Sequence, residues 1–343
     1  MPVIMPSTPA AQPLGCSRRD WCSQVVATAA GIAVGGSPAA AADAASRPVI
    51  DTHTHFYDTR RPQGVPFPSS KDPLLYRPVL PEEWQRLVQP LGVTGTVVVE
   101  ASPWPEDNQW LLDLAAKQQN LPGMQGIVGV VGNLPVGTAE FAGLLERFAA
   151  NPLFRGIRVN GAKLLAGLEQ PGYRRDLGLL ADRGLALDVN HGPAFAAATA
   201  AAAAIPALRI VVDHMGGGRI TGGKPAADWV EQAEAAADRP NLFLKVSALI
   251  ESAFNSQQQP ADGSERPAPP TDPAFYRPWV TQVWQAFGQE RLLFGSNWPV
   301  SLRAGSYADV LAVIRPLVAE HGRDAERWFF AEASEAAYRW RQA

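Results

Sequence analysis

Pro48-Val49-Ile50-Asp51-Thr52-His53-Thr54-His55 reads as a short apolar strand that runs straight into two histidines. Residues two apart on a strand share one face, so His53 and His55 point the same way. Similar apolar, β-rich runs recur at 95–99, 124–131, 154–159, 185–189, 209–212, 242–246 and 291–294, which with 48–50 makes eight. They are nearly continuous in apolar residues, as strands buried on both faces are. Helical patterns occupy the gaps: 82–89, 108–119, 138–150, 174–183, 194–204, 226–237, 273–287 and 307–320. Eight βα units in a chain of this length predict a (β/α)8 TIM barrel forming one domain over residues 45–343. A doubly wound open sheet is the weaker alternative, because no Gly-x-Gly-x-x-Gly follows the first strand. No internal repeat is visible.

Composition supports a folded core. The 343 residues are 46% hydrophobic and 18% charged, with 31 prolines and 30 glycines, which excludes collagen-like and disordered classes. A net charge of −3 leaves no basic excess for phosphate contacts, so nucleic acid is not expected as a partner. The 2 cysteines, Cys16 and Cys22, both precede the barrel, so the rest of the chain holds no disulfide and no cysteine metal site. Ten tryptophans suggest aromatic-lined clefts as well as core packing.

Residues 1–44 read as an address. Ser17-Arg18-Arg19-Asp20-Trp21 precedes a mildly apolar stretch and an Ala-rich exit containing Ala42-Asp43-Ala44. A charged start, a short apolar middle and a small-residue exit make a cleavable export signal. The arginine pair resembles the twin-arginine signal, with Trp21 where that signal usually has Phe. The expectation is export to the periplasm with no stable membrane anchor after cleavage, because the apolar run is too short to span a bilayer. Two stretches after strands lack helical patterning. Residues 56–81, rich in Pro and aromatics, read as a lid; residues 255–272, rich in Gln, Pro and Ser, read as disordered.

Four of the five histidines fall at predicted strand ends: His53 and His55, His191 after strand 5, and His214 after strand 6. His321 lies late in a helix and reads as a surface residue. Barrel active sites are built at the C-terminal ends of the strands. Neutral imidazole is the commonest metal ligand, and three protein ligands plus water make an open catalytic site. The expected ligands are His53, His55 and His191, holding one divalent zinc or manganese ion, with metal-free operation as the alternative.

Asp51-x-His53-x-His55, Asp213-His214-Met215-Gly216 and Phe294-Gly295-Ser296-Asn297-Trp298-Pro299, in this order and at barrel spacing, resemble the amidohydrolase superfamily. Within it they are similar to the amidohydrolase-2 branch, which includes pyrone dicarboxylate and sugar-acid lactonases. The resemblance covers about residues 48–340 and implies hydrolysis of a lactone or amide by an activated water. One position departs from the pattern. The family usually has Asp after strand 8, which takes the proton of the attacking water; here Asn297 stands in its place, and an amide has no useful basicity. Replacement bases are expected among Glu100, at the end of strand 2, His191 and His214. The relatives bind a substrate carboxylate through an Arg on strand 4, which makes Arg158 the expected anion contact, while the earlier Arg155 reads as structural. Lys245, Tyr57, Trp104 and Trp298 are further expected substrate contacts.

The sequence therefore points to a hydrolase opening a lactone or ester of a small, oxygen-rich, anionic molecule. Two alternatives stand beside it. One is a metal-dependent decarboxylase on the same fold; the other is a periplasmic binding protein that has lost turnover through Asn297.

Overall fold

Eight parallel strands pair in chain order: β1 (Ile50–Thr54), β2 (Gly95–Val99), β3 (Gly126–Gly132), β4 (Phe154–Asn160), β5 (Ala186–Asn190), β6 (Arg209–Val212), β7 (Leu242–Val246) and β8 (Leu292–Phe294). The computed structural model describes residues 48–118, 123–260 and 264–341, all within the unit Ala45–Ala343. The expected leader, residues 1–44, lies outside the described residues, as does Gln119 at the end of one expected helix. The seam between first and last strands is held by contacts at the strand ends. Thr54 bridges Trp298, His55 N donates to the Trp298 carbonyl at 2.9 Å, and Thr52 Oγ1 donates to the Phe294 carbonyl at 2.6 Å. The expected (β/α)8 barrel is thus nearly closed, with its last ties at the motif residues themselves.

Helices α1 (Pro81–Val88), α2 (Glu106–Gln118) and α3 (Phe141–Ala149) follow β1, β2 and β3. Pro81 opens α1 where a missing N–H costs nothing, so it ends the expected lid segment one residue early. Two helices fall between β4 and β5: α4 (Gly161–Leu168) and α5 (Pro171–Asp182). The first was not legible as a pattern. Asn160, the last residue of β4, caps it by accepting from the N–H groups of Ala162 and Lys163, so strand passes into helix with no turn residues between. Helix α6 (Ala194–Ala204) is almost all alanine; propensity rather than periodicity makes it helical, and its small side chains are largely buried.

Helix α7 (Ala227–Ala237) precedes β7, and α8 (Leu249–Ser256) follows it at once. Helix α8 corrects the expected disordered stretch, taking over Asn255 and Ser256; Ala248, in the left-handed region at φ 54°, turns the corner into it. Helix α9 (Pro273–Phe287) starts on an Asp272 cap, and α10 (Tyr307–Ala319) on a reciprocal Ser306–Asp309 capping box. The chain closes with α11 (Arg323–Arg327), a π-helical turn over Trp328–Glu332, and α12 (Ala333–Tyr338).

Two apolar layers result. The larger lies between sheet and helices and includes Trp84, Phe141, Leu177, Val283 and Ile314. The smaller follows the barrel axis, where Ile50, Val97, Val99, Val211, Phe243 and Leu293 meet Ala337, Tyr338 and Trp340 from the C-terminal segment. Arg209, the first residue of β6, donates to the Ala337 carbonyl at 2.7 Å, which places this segment at the end where the strands begin. Tyr338 reaches further in: its hydroxyl donates to Asp188 on β5 at 3.0 Å. Removing that hydroxyl with Tyr338→Phe leaves a buried carboxyl short of a donor and is expected to cost about 1–2 kcal/mol. Urea unfolding measures it; an unchanged midpoint would show that Asp188 does not depend on the plug.

Candidate active site

Four strand ends carry a non-glycine residue in the left-handed region, where such residues are uncommon. His191 (φ 52°), His214 (φ 53°), Ala248 (φ 54°) and Asn297 (φ 58°) follow β5, β6, β7 and β8, and Met215 (φ 53°) follows His214. The first four all line one cavity of about 740 Å³ at the C-terminal ends of the strands. Strained backbone of this kind persists where the surroundings enforce it and clusters at functional sites.

Asp51 fixes the register of the two motifs that face each other there. Its Oδ1 accepts from the N–H groups of His53 (3.0 Å) and Ser296 (2.9 Å). Its Oδ2 accepts from Ser296 Oγ (2.5 Å) and Tyr307 OH (2.8 Å). Gly295 lets His53 come close, since a Cβ there would lie 2.9 Å from His53 Cβ and 3.1 Å from Ser247 Cβ. The first Asp and the Gly of these motifs therefore shape the site without facing its contents.

Beneath the cavity is a fully buried charged cluster. Lys245 Nζ lies 2.5 Å from Asp188 Oδ2, 3.0 Å from Asp213 Oδ1 and 3.3 Å from His53 Nδ1. Two carboxyls share one ammonium, and they separate. Burial raises Asp188, to about 6, against the pull of Lys245. Burial would raise Asp213 too, but the Lys245 ammonium and the His53 ring hold it well below the usual carboxylate range. Burial drives His53 well below its ordinary value, and lowers His55 to about 3 and His214 to about 4. The three imidazoles are neutral at pH 7, as metal ligands and hydrogen-bond acceptors must be.

His53, Asp213 and His214 bring ligand atoms within 4.8 Å of one another, the metal-sized group found among the described residues. The residues fit a divalent cation. His53 Nε2 and Asp213 Oδ2 are buried without a hydrogen-bond partner, and His214 is oriented by a 2.9 Å contact between its Nδ1 and Ser247 Oγ. Two imidazoles and a carboxylate suit zinc or manganese.

Of the expected ligands, the triplet contains His53. His55 lines the cavity with its ring centre 5.0 Å from that of His53; its Nδ1 is held by the Val99 carbonyl at 2.9 Å, which leaves Nε2 free, as metal-binding imidazoles are commonly held. His191 sits exposed beyond the end of β5, at the cavity rim. Asp213 and His214, the first two residues of the Asp-His-Met-Gly motif, are the other two members of the triplet. Lys245 cannot contact substrate, because its ammonium is fully buried and committed to two aspartates. Tyr57 and Trp298 are buried in the core rather than in the cleft wall: Tyr57 OH donates to the Leu75 carbonyl, and the Trp298 ring packs against Phe56. Trp104 is partly exposed and outside the cavity lining, where its neighbours Ser102 and Pro103 stand. The aromatic segment after β1 instead contributes Phe67, backed by Tyr57.

Glu100 and Arg158 both line the cavity, paired with each other. Arg158 Nε donates to Glu100 Oε1 at 3.0 Å, and its Nη2 donates to the Glu100 carbonyl at 2.7 Å. The ion pair occupies the expected base and partly neutralises the expected anion contact. Arg155 is half-buried, and no charged partner perturbs it, in keeping with its structural reading. Glu251, which lines the same cavity from α8, belongs to none of the sequence motifs and was not among the expected site residues.

A class is defined by this fold and site together. The chain belongs to the amidohydrolase family, whose profile (Amidohydro_2) matches residues 50–340. Particular relatives narrow the comparison. An L-fucono-1,5-lactonase of Burkholderia ambifaria is 31% identical over 266 residues, covering 76% of this chain and 83% of that protein. An L-fucono-1,5-lactonase of Burkholderia multivorans is 24% identical over 301 residues, covering 84% of this chain and 90% of that protein. Among solved structures, an amidohydrolase from Burkholderia multivorans with bound zinc superposes with a TM-score of 0.70 at 23% identity, covering 85% of this chain and 99% of that one.

Two outcomes follow from the buried cluster. Lys245→Met leaves Asp188 and Asp213 without a cation and is expected to cost about 3–5 kcal/mol in denaturant unfolding; a loss below about 1 kcal/mol would contradict the pairing. His55 is protonated in the unfolded chain below about pH 6.5 but stays neutral in the fold down to about 3, so the stability it contributes is complete above 6.5 and is lost as pH falls. Asp188 and Glu251, raised by burial, work in the opposite sense, so the readable quantity is a difference. Between pH 6.5 and 4, His55→Gln should gain on the wild type by up to roughly 1.4 kcal/mol per pH unit in parallel unfolding curves.

Proposed function

We propose that the protein is a lactonase that opens a neutral aldono-1,5-lactone to its hydroxy acid. The observation that carries this reading is the His53–Asp213–His214 triplet beside a sugar-sized cavity whose two lining arginines are matched by two glutamates. Kinship with the two fuconolactonases supports the reaction class and a deoxysugar lactone as substrate.

Charge favours a neutral ligand over the anionic one expected from sequence. The lining holds Arg158 and Arg219 against Glu100 and Glu251, and Arg158 is already bound to Glu100. Asp213 Oδ2, 4.0 Å from Arg158 Nη1, spends more of its field. A substrate carboxylate would compete with ligands already in place. Hydroxyl groups, by contrast, find both donors and acceptors. The Val99 carbonyl can only accept, so His55 carries its proton on Nδ1 and offers Nε2 as an acceptor. Asn133 and Ser252 add polar groups to the wall. A volume of about 740 Å³ suits a monosaccharide with room for water.

His53, Asp213 and His214 would hold a divalent cation, which would supply Lewis acidity and a lowered pKa for bound water. The protein's own groups do the rest. Lys245 keeps Asp213 ionised, Ser247 sets the His214 ring, and the Arg158–Glu100 pair holds one wall rigid. Export through a twin-arginine leader belongs to the same proposal and is carried by residues 17–44 of the sequence alone.

Acid release from a panel of 1,5- and 1,4-sugar lactones and a pyrone dicarboxylate, followed by pH indicator before and after chelation, tests the reading. Neutral 1,5-lactones are expected to turn over at least about 100-fold faster than the dicarboxylate. Carbon dioxide release from an aromatic acid, or acid release from none of the lactones, would overturn it.

A further inference from the structure

Asn297 is an amide and cannot take a proton near neutral pH, and the obvious carboxylates around it are engaged: Glu100 with Arg158, Asp188 and Asp213 with Lys245. One carboxyl lining the cavity is not. Glu251, in the first turn of α8, accepts through Oε1 from Asn297 Nδ2 at 2.9 Å. Its other oxygen, Oε2, is buried with no partner, and no Lys or Arg among the described residues forms an ion pair with it. The side chain is only 7% exposed, yet it is part of the cavity wall together with His214 and Asn297. A buried carboxyl lacking a cation is costly, and the chain reaches this arrangement through a strained corner at Ala248.

We infer that Glu251, oriented by Asn297, is the residue that moves the proton of the attacking water in this cavity. The inference rests on the lactonase reading above. As a carboxylate, Glu251 takes a proton from water while the water oxygen bonds to the lactone carbonyl carbon. When the ring C–O bond breaks, the carboxylic acid returns that proton to the departing ring oxygen, which becomes the product hydroxyl. The second proton of the water leaves to solvent as the new carboxylic acid ionises. Lactone and water are consumed and one hydroxy acid is formed. Asn297 suits its part, since a donor amide holds Oε1 whether Glu251 is charged or not, and Asn is among the residues that best tolerate a left-handed backbone.

Burial pushes the Glu251 carboxyl up to about 7, near the optimum for a group that must both take and return a proton at neutral pH. The titratable group packed behind it is Tyr276 on α9, whose own ionisation burial and Glu251 push well above neutral. Across the cavity stand His214 and Arg219 after β6, Arg158 on β4 and His191 after β5.

Steady-state kinetics of wild type, Glu251→Gln and Glu251→Asp on the best sugar lactone decide the matter. Gln keeps the volume and can still accept from Asn297, so a merely structural Glu251 predicts little change. A proton-transfer role predicts that kcat falls about 100-fold or more in Glu251→Gln with KM within about threefold. It also predicts that the rise of kcat/KM with pH toward a plateau above about 7 is lost, and that Asp recovers activity at least about tenfold over Gln. Glu251→Gln with kcat within about threefold of wild type and an unchanged pH profile would overturn the assignment while leaving the lactonase reading intact. A wild type inert on every lactone would overturn both. If Glu251→Gln does not fold by circular dichroism, Glu251→Asp and the wild-type profile decide, and a wild-type kcat/KM flat between pH 6 and 8 overturns the assignment.

Discussion

A single ammonium organises the centre of this molecule. Lys245 is fully buried and stands between Asp188 and Asp213, close to His53. Two buried carboxyls are tolerated here because one ammonium lies between them and hydrogen bonds complete the set. One end of the set is Tyr338, which ties Asp188 to the C-terminal plug; the other is Asp213, which faces the site. The ionised state of Asp213, and with it the donor set beside the cavity, is a consequence of a charge that touches neither solvent nor substrate.

The strand ends supply the second constraint. After β5, β6, β7 and β8 the backbone turns through the left-handed region at residues other than glycine. Each turn redirects the chain sharply, so His191, His214, Ala248 and Asn297 border one cavity although they are widely separated in sequence. The Asp51 network then holds the first and last motifs together from behind. Geometry at the mouth is set by groups that face away from it.

How much of this could be read from the residues differs by level. All eight strands were legible, because buried parallel strands are continuous apolar runs and that signal is local. The histidines were legible for the same reason, since strand ends are where barrel chemistry sits. What failed was partnership. Lys245 looked available from its place at a strand end, but only the fold shows that two aspartates already hold it. Glu100 and Arg158 were both recognised as cavity residues, yet their mutual ion pair joins β2 to β4 and has no local trace. Tyr57 and Trp298 were drawn to the cleft by their chemistry and kept from it by core packing. Helices α4 and α8 escaped because each begins without a turn signal, one on a strand-end Asn and the other on a strained Ala. Glu251 was hidden with α8.

The plug at the base of the barrel has a consequence in time. Residues 337–340 fill the axis, and Tyr338 completes the environment of Asp188. All eight strands, ending at Phe294, are synthesised before these residues are added. Until then the carboxyls around Lys245 lack one of their donors, and the axis is open to water. The polar centre of the barrel is therefore complete only once Tyr338 has been synthesised and seated.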